Sequence, residues 1–375
     1  MSGKISRTRG ESYFIKGIPD GCKYCIKGQK VVLFLNGICQ KPDQCSWYCP
    51  ISQDRKDRDI TFADEIEVKS NNDIATEINL TNAKGISITG GEPLSNKNIN
   101  KTLEYIEFVK NLKGSDFHVH IYTNGVNFNK NIAQKLATTG LDEIRFHPSK
   151  TDWKNIKYAL NKGIKVGAEV PVIPKQQYLK EILELILFLD EINCDFINLN
   201  EFEYCYPNSN NLKDRGFLLK AGTIASVEGS EQSALNLLKE VSNKTSLKIH
   251  YCPIILKDLY QLKNRYKRRA RNIRKPYEVV TSAGLLVFAQ IEGNQNNIRR
   301  FIDDFLSNLD VQKNLFSFEG SSLYLPWYIP IYREFLNVMN SYDLECFIIE
   351  GIPFRGNLFQ ITEKTPINLI NIIEK

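Results

Sequence analysis

"ISITGGEPL", residues 86 to 94, runs an apolar stretch straight into two glycines, a carboxylate and a proline. The β-branched residues of ISIT argue a strand, and Gly90-Gly91 end it with backbone that a ligand can approach closely. Glu92 then stands just past the strand, where its carboxylate can meet an ammonium group. Upstream, KVVLFLNG (30–37) reads as a similar strand, and "NGICQKPDQCSWYCP" (36–50) crowds Cys39, Cys45 and Cys49 into the loop behind it. Downstream, FHVHIYTNG (117–125) is a third strand, ending in Thr123-Asn124-Gly125.

The series continues with LDEIRFHP (141–148), KVGAEVPVIP (165–174), DFINLNEF (195–202) and LKIHYCP (247–253). Between these runs, 97–113, 128–139, 152–162, 177–191 and 230–244 repeat apolar residues at three- and four-residue steps, as helices do. Alternation of this length predicts an α/β fold, a parallel sheet wrapped by helices as an open sheet or a full or partial barrel. Chemistry in such folds collects at the carboxyl ends of the strands. Cys39, Gly90, Asn124 and His147 stand after the first four.

At 375 residues, 42% hydrophobic and 25% charged, the chain has the composition of a globular protein with ample core, one large domain plus a smaller one. No run reaches membrane-spanning length and no apolar stretch follows the basic start, so neither a membrane span nor a secretory signal is expected and the location reads as cytoplasmic. In a reducing compartment clustered cysteines bind metal or do chemistry more often than they pair. Nine cysteines, an odd number, also do not complete a disulfide framework. Three thiolates on one loop can hold three irons of a [4Fe–4S] cluster and leave the fourth open, whereas structural zinc takes four protein ligands.

Together the three-cysteine loop and the GGEP turn resemble the radical S-adenosylmethionine (SAM) superfamily, and Thr123-Asn124-Gly125 resembles the TNG of the branch related to the pyruvate formate-lyase activating enzyme. The cysteine spacing here is C-x5-C-x3-C, where the family's commonest is C-x3-C-x2-C. The resemblance covers roughly residues 30–255 and implies a partial (β/α) barrel. It implies that Cys39, Cys45 and Cys49 ligate a [4Fe–4S] cluster whose fourth iron is chelated by SAM. By the same resemblance Tyr48 lies near the adenine, and Gly90, Gly91 and Glu92 hold the methionine amino group. A one-electron reductant would then drive cleavage of SAM to a 5′-deoxyadenosyl radical, which takes hydrogen from an unactivated C–H bond. In related barrels polar residues at later strand ends contact SAM, which makes Thr123, Asn124, His147, Glu169 and Asn198 candidates. A satisfied core polar group is the competing reading of the last three.

A second cysteine set starts with Cys22 and Cys25 in GCKYCIKG. With Cys252 and either His250 or Cys205 they would complete a tetrahedral zinc site or an auxiliary iron–sulfur cluster. Cys194 and Cys346 sit in apolar surroundings that suit packing. The charge is local: nine Lys or Arg and one Asp lie between Lys257 and Lys275, a balance of +8 in a chain of net charge +6. One amphipathic helix is expected over 259–275. Its Lys263, Arg265, Lys267, Arg268, Arg269 and Arg271, with Tyr260, Tyr266 and Tyr277 interleaved, fit a surface that tracks phosphates and stacks bases. The expected substrate is therefore a tRNA nucleoside, altered by methylation or a related group transfer. The alternatives are a protein substrate, as for a glycyl-radical activase, a small molecule or lipid, and a non-catalytic iron–sulfur protein.

The expected organisation is an N-terminal extension (1–28), the barrel (29–256), the basic linker helix (257–278) and a C-terminal α+β domain (279–375). In that last domain hairpins are expected about Ser282-Ala283-Gly284 and at 314–325, helices at 296–309 and 327–341, and a strand at 344–351.

Overall fold

Every run of alternating or β-branched residues named above in the first two thirds becomes a strand. The helices expected at 97–113, 128–139, 177–191 and 230–244 form, whereas that expected at 152–162 is a 3-10 segment, Lys150–Ala159. The computed structural model describes residues 4–8, 10–41, 44–306, 313–370 and 373, and it falls into two units, 1–262 and 263–375.

The first unit runs β1 (Ser6–Arg7), β2 (Tyr13–Ile15), α1 (Asp20–Ile26), β3 (Lys30–Phe34), β4 (Phe62–Ala63), β5 (Ile66–Glu67), α2 (Asn71–Leu80) and β6 (Gly85–Thr89). It continues through α3 (Ile99–Lys113), β7 (His118–Thr123), α4 (Lys130–Thr139), β8 (Glu143–Phe146), a 3-10 segment (Lys150–Ala159), β9 (Lys165–Val172) and α5 (Gln176–Glu191). It closes with β10 (Phe196–Glu201), α6 (Ser209–Asp214), α7 (Ser230–Val241), β11 (Lys248–Cys252), α8 (Ile254–Leu256) and a π-helical turn (Lys257–Leu262). The strands form one sheet in the order β1-β2-β11-β10-β9-β8-β7-β6-β3-β4-β5. From β11 to β3 all pairs are parallel, while β2 and β4 add antiparallel edges. The expected separate extension 1–28 is thus drawn into this unit, because β1 and β2 are too short to show any periodicity in the sequence.

Alternation along the strands sorts the two faces. Val31, Leu33, Ile86, Ile88, Val119, Ile121 and Ile144 point outward and are fully buried in the core under the helices. The opposite face carries Lys30, His118, His120, Glu143, Arg145, Glu169, Asn198 and His250, all with buried or nearly buried side chains. Strands buried on both faces are ordinarily apolar on both, so a polar interior marks a lumen with a task.

Connectivity puts α1 in that lumen. β2 joins the sheet beside β11 and β3 joins it beside β6, so residues 16–29 must cross the concave side at the amino ends of the strands. Gly21 N donates to Glu143 Oε2 at 3.0 Å, and a Cβ on Gly21 would lie 2.6 Å from both Arg145 Nη2 and His120 Nδ1. Only glycine lets the helix seat this deeply. α1 is therefore the floor of the lumen.

Arg145 knits the interior together. Its Nε donates to Glu143 Oε1 at 2.7 Å and its Nη1 to Glu169 Oε2 at 2.6 Å. Arg145→Met should destabilise the protein by about 3–5 kcal/mol, because removing one partner leaves buried carboxylate charge uncompensated. Denaturant unfolding of the variant checks this.

The second unit contains α9 (Lys263–Ile273), β12 (Val279–Val280), β13 (Leu286–Glu292), α10 (Gln295–Asp304), β14 (Ser317–Glu319), β15 (Ser322–Leu325), α11 (Arg333–Asn340), β16 (Glu345–Gly351) and β17 (Ile361–Pro366). Its antiparallel sheet has the order β14-β15-β13-β16-β17, with β12 on β13. Phe301 from α10 and Phe335 and Met339 from α11 share a core with Ile291 and Cys346. The helix expected over 296–309 is described to Asp304, and residues 307–309 lie outside the described residues. The single helix expected over 259–275 is instead a π turn followed by α9. Among the described residues no helix is long and apolar enough to cross a membrane.

Candidate active site

The backbone beyond β3 and β6 zips two motifs together. Leu35 N donates to Thr89 O at 2.8 Å, Gly91 N to Asn36 O at 2.7 Å and Glu92 N to Ile38 O at 3.0 Å. Cys39 thus starts its loop directly against the GGEP turn. A Cβ on Gly91 would lie 2.1 Å from Ile38 O, and one on Gly90, at φ +132°, 2.5 Å from Asn36 O. Both glycines are required by this close approach. Asn36 and Asn98 brace the turn with reciprocal amide bonds of 2.8 and 3.1 Å, and Asn98 Nδ2 also donates to Glu92 O at 2.9 Å. Asn98 was not legible as a site residue, since it precedes α3 as an ordinary polar residue.

Glu92 is buried, and its carboxylate joins the TNG turn to the GGEP turn. Oε1 accepts from Thr123 Oγ1 at 2.7 Å and from Leu94 N at 2.9 Å, while Oε2 accepts from Asn124 N at 2.7 Å. Burial pushes its carboxyl up, against the pull of those three donors. A carboxylate has about four acceptor sites, so one remains for a ligand's ammonium group.

The cysteine loop is pinned by its aromatics. Tyr48 N donates to Cys45 O at 3.1 Å, a turn that sets Cys45 and Cys49 near each other. The Tyr48 hydroxyl lies 2.8 Å from His147 Nε2, and burial holds the His147 ring below its usual range and neutral. Trp47 stacks on Phe217 at 6.0 Å and lies under the Arg215 guanidinium at 4.7 Å. A cavity of about 180 Å³ lies against this loop, lined among others by Cys39, Cys45, Tyr48, Asn124 and His147.

Not every candidate gathers there. Glu169 and Asn198 lie in the lumen: Glu169 Oε1 accepts from Asn200 Nδ2 at 2.8 Å, and Asn198 Oδ1 is 2.6 Å from His250 Nδ1. Their polar atoms are spent on the interior network rather than on the cavity.

As a zinc site the second set does not assemble. Cys22 Sγ meets Arg145 Nη2 at 3.4 Å and Asn198 Oδ1 at 3.7 Å, His250 is held by Asn198, and Cys252 Sγ accepts from Gln261 Nε2 at 3.6 Å. Cys25 rides on the floor helix, while Cys205 stands beyond β10, its N–H held by Asn208. Among the described residues no three of His, Cys, Asp or Glu converge on one metal ion. A tetrahedral zinc site requires such convergence. A cubane spreads its thiolates over different irons, so Cys39, Cys45 and Cys49 need no such crowding.

In the second unit, Arg269 is turned away from solvent. Its Nε donates to Pro353 O at 2.7 Å and its guanidinium lies 4.2 Å over the Phe354 ring. It cannot be one of six phosphate-tracking cations. Lys263, Lys267 and Arg271 share a side of α9, since burial and these two like charges hold the Lys267 ammonium below its usual range.

Comparison with known proteins agrees with this geometry. A sequence model of the radical SAM superfamily matches residues 13–152. A protein of Methanocaldococcus jannaschii with the provisional name glycyl-radical enzyme activating enzyme is 40% identical over 282 residues, 72% of each chain. The chain belongs to the radical SAM superfamily. Among solved structures, Streptococcus suis SuiB bound to SAM is 16% identical with a TM-score of 0.41, covering 62% of this chain and 52% of that one. The coproporphyrinogen III oxidase of Escherichia coli is 9% identical with a TM-score of 0.34, covering 88% and 94%. This chain thus spans about half the length of the SuiB chain.

Radical SAM enzymes use a [4Fe–4S] cluster and SAM, and the donor set fits them. Three thiols stand on one loop, with Cys39 and Cys45 lining the cavity, a buried carboxylate retains one acceptor site, and two glycines let the GGEP turn lie directly against the start of that loop. Cys39, Cys45 and Cys49 would hold the cluster, and Gly90, Gly91 and Glu92 the amino end of SAM.

Proposed function

We propose that this chain activates a glycyl-radical enzyme, taking one hydrogen atom from the α-carbon of a glycine in a partner polypeptide. The observation that carries the reading is the 40% identity, over 72% of both chains, to a relative bearing that name. The junction of Glu92 with Thr123-Asn124 supports it, because that TNG turn belongs to the same branch.

When bound, the cluster and SAM supply, with one electron from an external reductant, a carbon radical able to take hydrogen from a C–H bond. The protein's own residues position and protect that chemistry. Glu92 accepts the ammonium group of the ligand, and Thr123, Leu94 and Asn124 hold its carboxylate still. Tyr48 and His147 fix the cysteine loop against β8. α1 closes the lumen from below and keeps bulk water from the reacting centre.

A tRNA substrate rests on the basic run alone, and Arg269 is withdrawn from that run. We place the protein in the cytoplasm, where an oxygen-sensitive cluster is kept reduced.

The test uses anaerobic holoenzyme, dithionite, SAM and a synthetic peptide with a dideuterated central glycine. One deuterium should appear in the 5′-deoxyadenosine formed. If SAM is cleaved without deuterium transfer, while nucleoside mass spectrometry shows a changed tRNA base, the activase reading is overturned.

A further inference from the structure

Residues 202–228 leave β10 and fold over the cysteine loop as a short ladder. Val227 N donates to Phe202 O at 2.9 Å, Tyr204 N to Ala225 O at 2.6 Å, Lys220 N to Ser226 O at 2.8 Å and Glu228 N to Leu218 O at 2.9 Å. The inner side packs Phe202, Phe217 and Val227 against Trp47 and Tyr48 of the cysteine loop. Asn208 clamps the two together, donating from Nδ2 to Tyr48 O at 3.0 Å and accepting from Cys205 N at 2.9 Å.

The tip and outer edge of the same ladder present apolar side chains to water. Tyr206 is 91% exposed, Ile224 92% and Leu218 64%. Ile224 and Tyr206 stand just past the Tyr204–Ala225 bond that ends the ladder. Cys205 stands at the base of this tip, where Asn208 ties it to Tyr48 of the cysteine loop. Scattered exposed apolar residues are ordinary. Two bare ones at the end of a ladder that is tied to the cysteine loop offer a docking surface.

Three observations choose the occupant. The patch is continuous with the cysteine loop through Trp47 and Tyr48. Its charges cancel, with Glu203, Asp214 and Glu228 against Lys213, Arg215 and Lys220, so nothing here draws a phosphate backbone. α1 closes the lumen at the amino ends of the strands, so a substrate enters at their carboxyl ends, the side on which this ladder stands.

We propose that Tyr206, Leu218 and Ile224 dock the polypeptide segment flanking the reacting glycine, and that the flanks they select are apolar. The inference rests on the activase reading and adds to it the surface that selects the substrate.

The test compares two nine-residue peptides with a dideuterated central glycine, one flanked by Leu and Val, the other by Ser and Glu. Wild-type holoenzyme should show a KM about tenfold lower for the apolar peptide. The double variant Tyr206→Ser, Ile224→Ser should raise that KM about tenfold while deuterium transfer at saturation, SAM affinity and melting temperature stay at wild-type values. Leu112→Ser, an exposed leucine on α3, serves as a control that leaves KM unchanged. Equal KM values in variant and wild type, with deuterium still transferred, would overturn the docking surface and leave the activase reading standing. Loss of a dimer in sedimentation of the double variant, with KM unmoved, would assign the patch to a second copy and overturn it too. Failure of deuterium transfer from both peptides while SAM is cleaved overturns the activase reading, and the docking proposal falls with it.

Discussion

Alanine in place of Cys39, Cys45 or Cys49 should strip the cluster from the protein. Iron in anaerobically purified enzyme should fall from about four per chain to near zero, with loss of the brown absorbance, because three protein thiolates leave no spare ligand. The three cysteines lie on one loop whose leading end is zipped to the GGEP turn, so no neighbouring segment replaces a missing thiol without breaking those backbone bonds. Cys205, tied through Asn208 to Tyr48 of that loop, offers an alternative thiol. For that reason the triple variant is the decisive one. Full iron content in that variant would show that the ligands lie elsewhere.

Glu92→Gln should have the next largest effect. The amide keeps the shape of the side chain but cannot hold an ammonium group as a carboxylate does. Hydrogen bonds to charged groups contribute about 1.5–3 kcal/mol each, so SAM binding should weaken by about ten- to a hundredfold, with cluster iron unchanged. Equilibrium dialysis of SAM against the anaerobic variant measures this directly. The pH dependence has a definite sign. Burial holds the Glu92 carboxyl above its usual range, so it takes up a proton, and loses its grip on the ammonium group, at a higher pH than an exposed glutamate would. SAM affinity of the wild type should therefore fall on acidification before exposed carboxylates titrate, and that of Glu92→Gln should stay flat over the same range. Equal SAM affinity in variant and wild type at neutral pH would remove Glu92 from the site.

The sequence carried the plan of the barrel. Strands such as 85–89 and 118–123, and helices such as 99–113 and 176–191, lie within a few residues of where their periodicity places them. The reason is that the two-residue and 3.6-residue repeats are local and need no partner to be seen. The three cysteines, Gly90, Gly91 and Glu92 were legible for a similar reason, since each motif is a short run with its own spacing. The readings that went astray each needed a distant partner. Arg269 looked like one cation among six, and Phe354 buries it from 85 positions away in the chain. Cys22 looked like a zinc ligand, and its thiol is instead met by Arg145 and Asn198.

Local pattern by itself thus determined the α/β architecture, the order of its strands and helices, and the two motifs at the strand ends. Tertiary structure alone decided that the sheet's inner face is polar, that α1 forms its floor, and that Glu92 joins the GGEP turn to the TNG turn. Cys22 and Asn198 are 176 residues apart in the chain, and Gly21 and Glu143 are 122 apart. Contacts of that range leave no periodic trace, because nothing in a residue's near neighbours reflects a partner that only the assembled sheet brings to it.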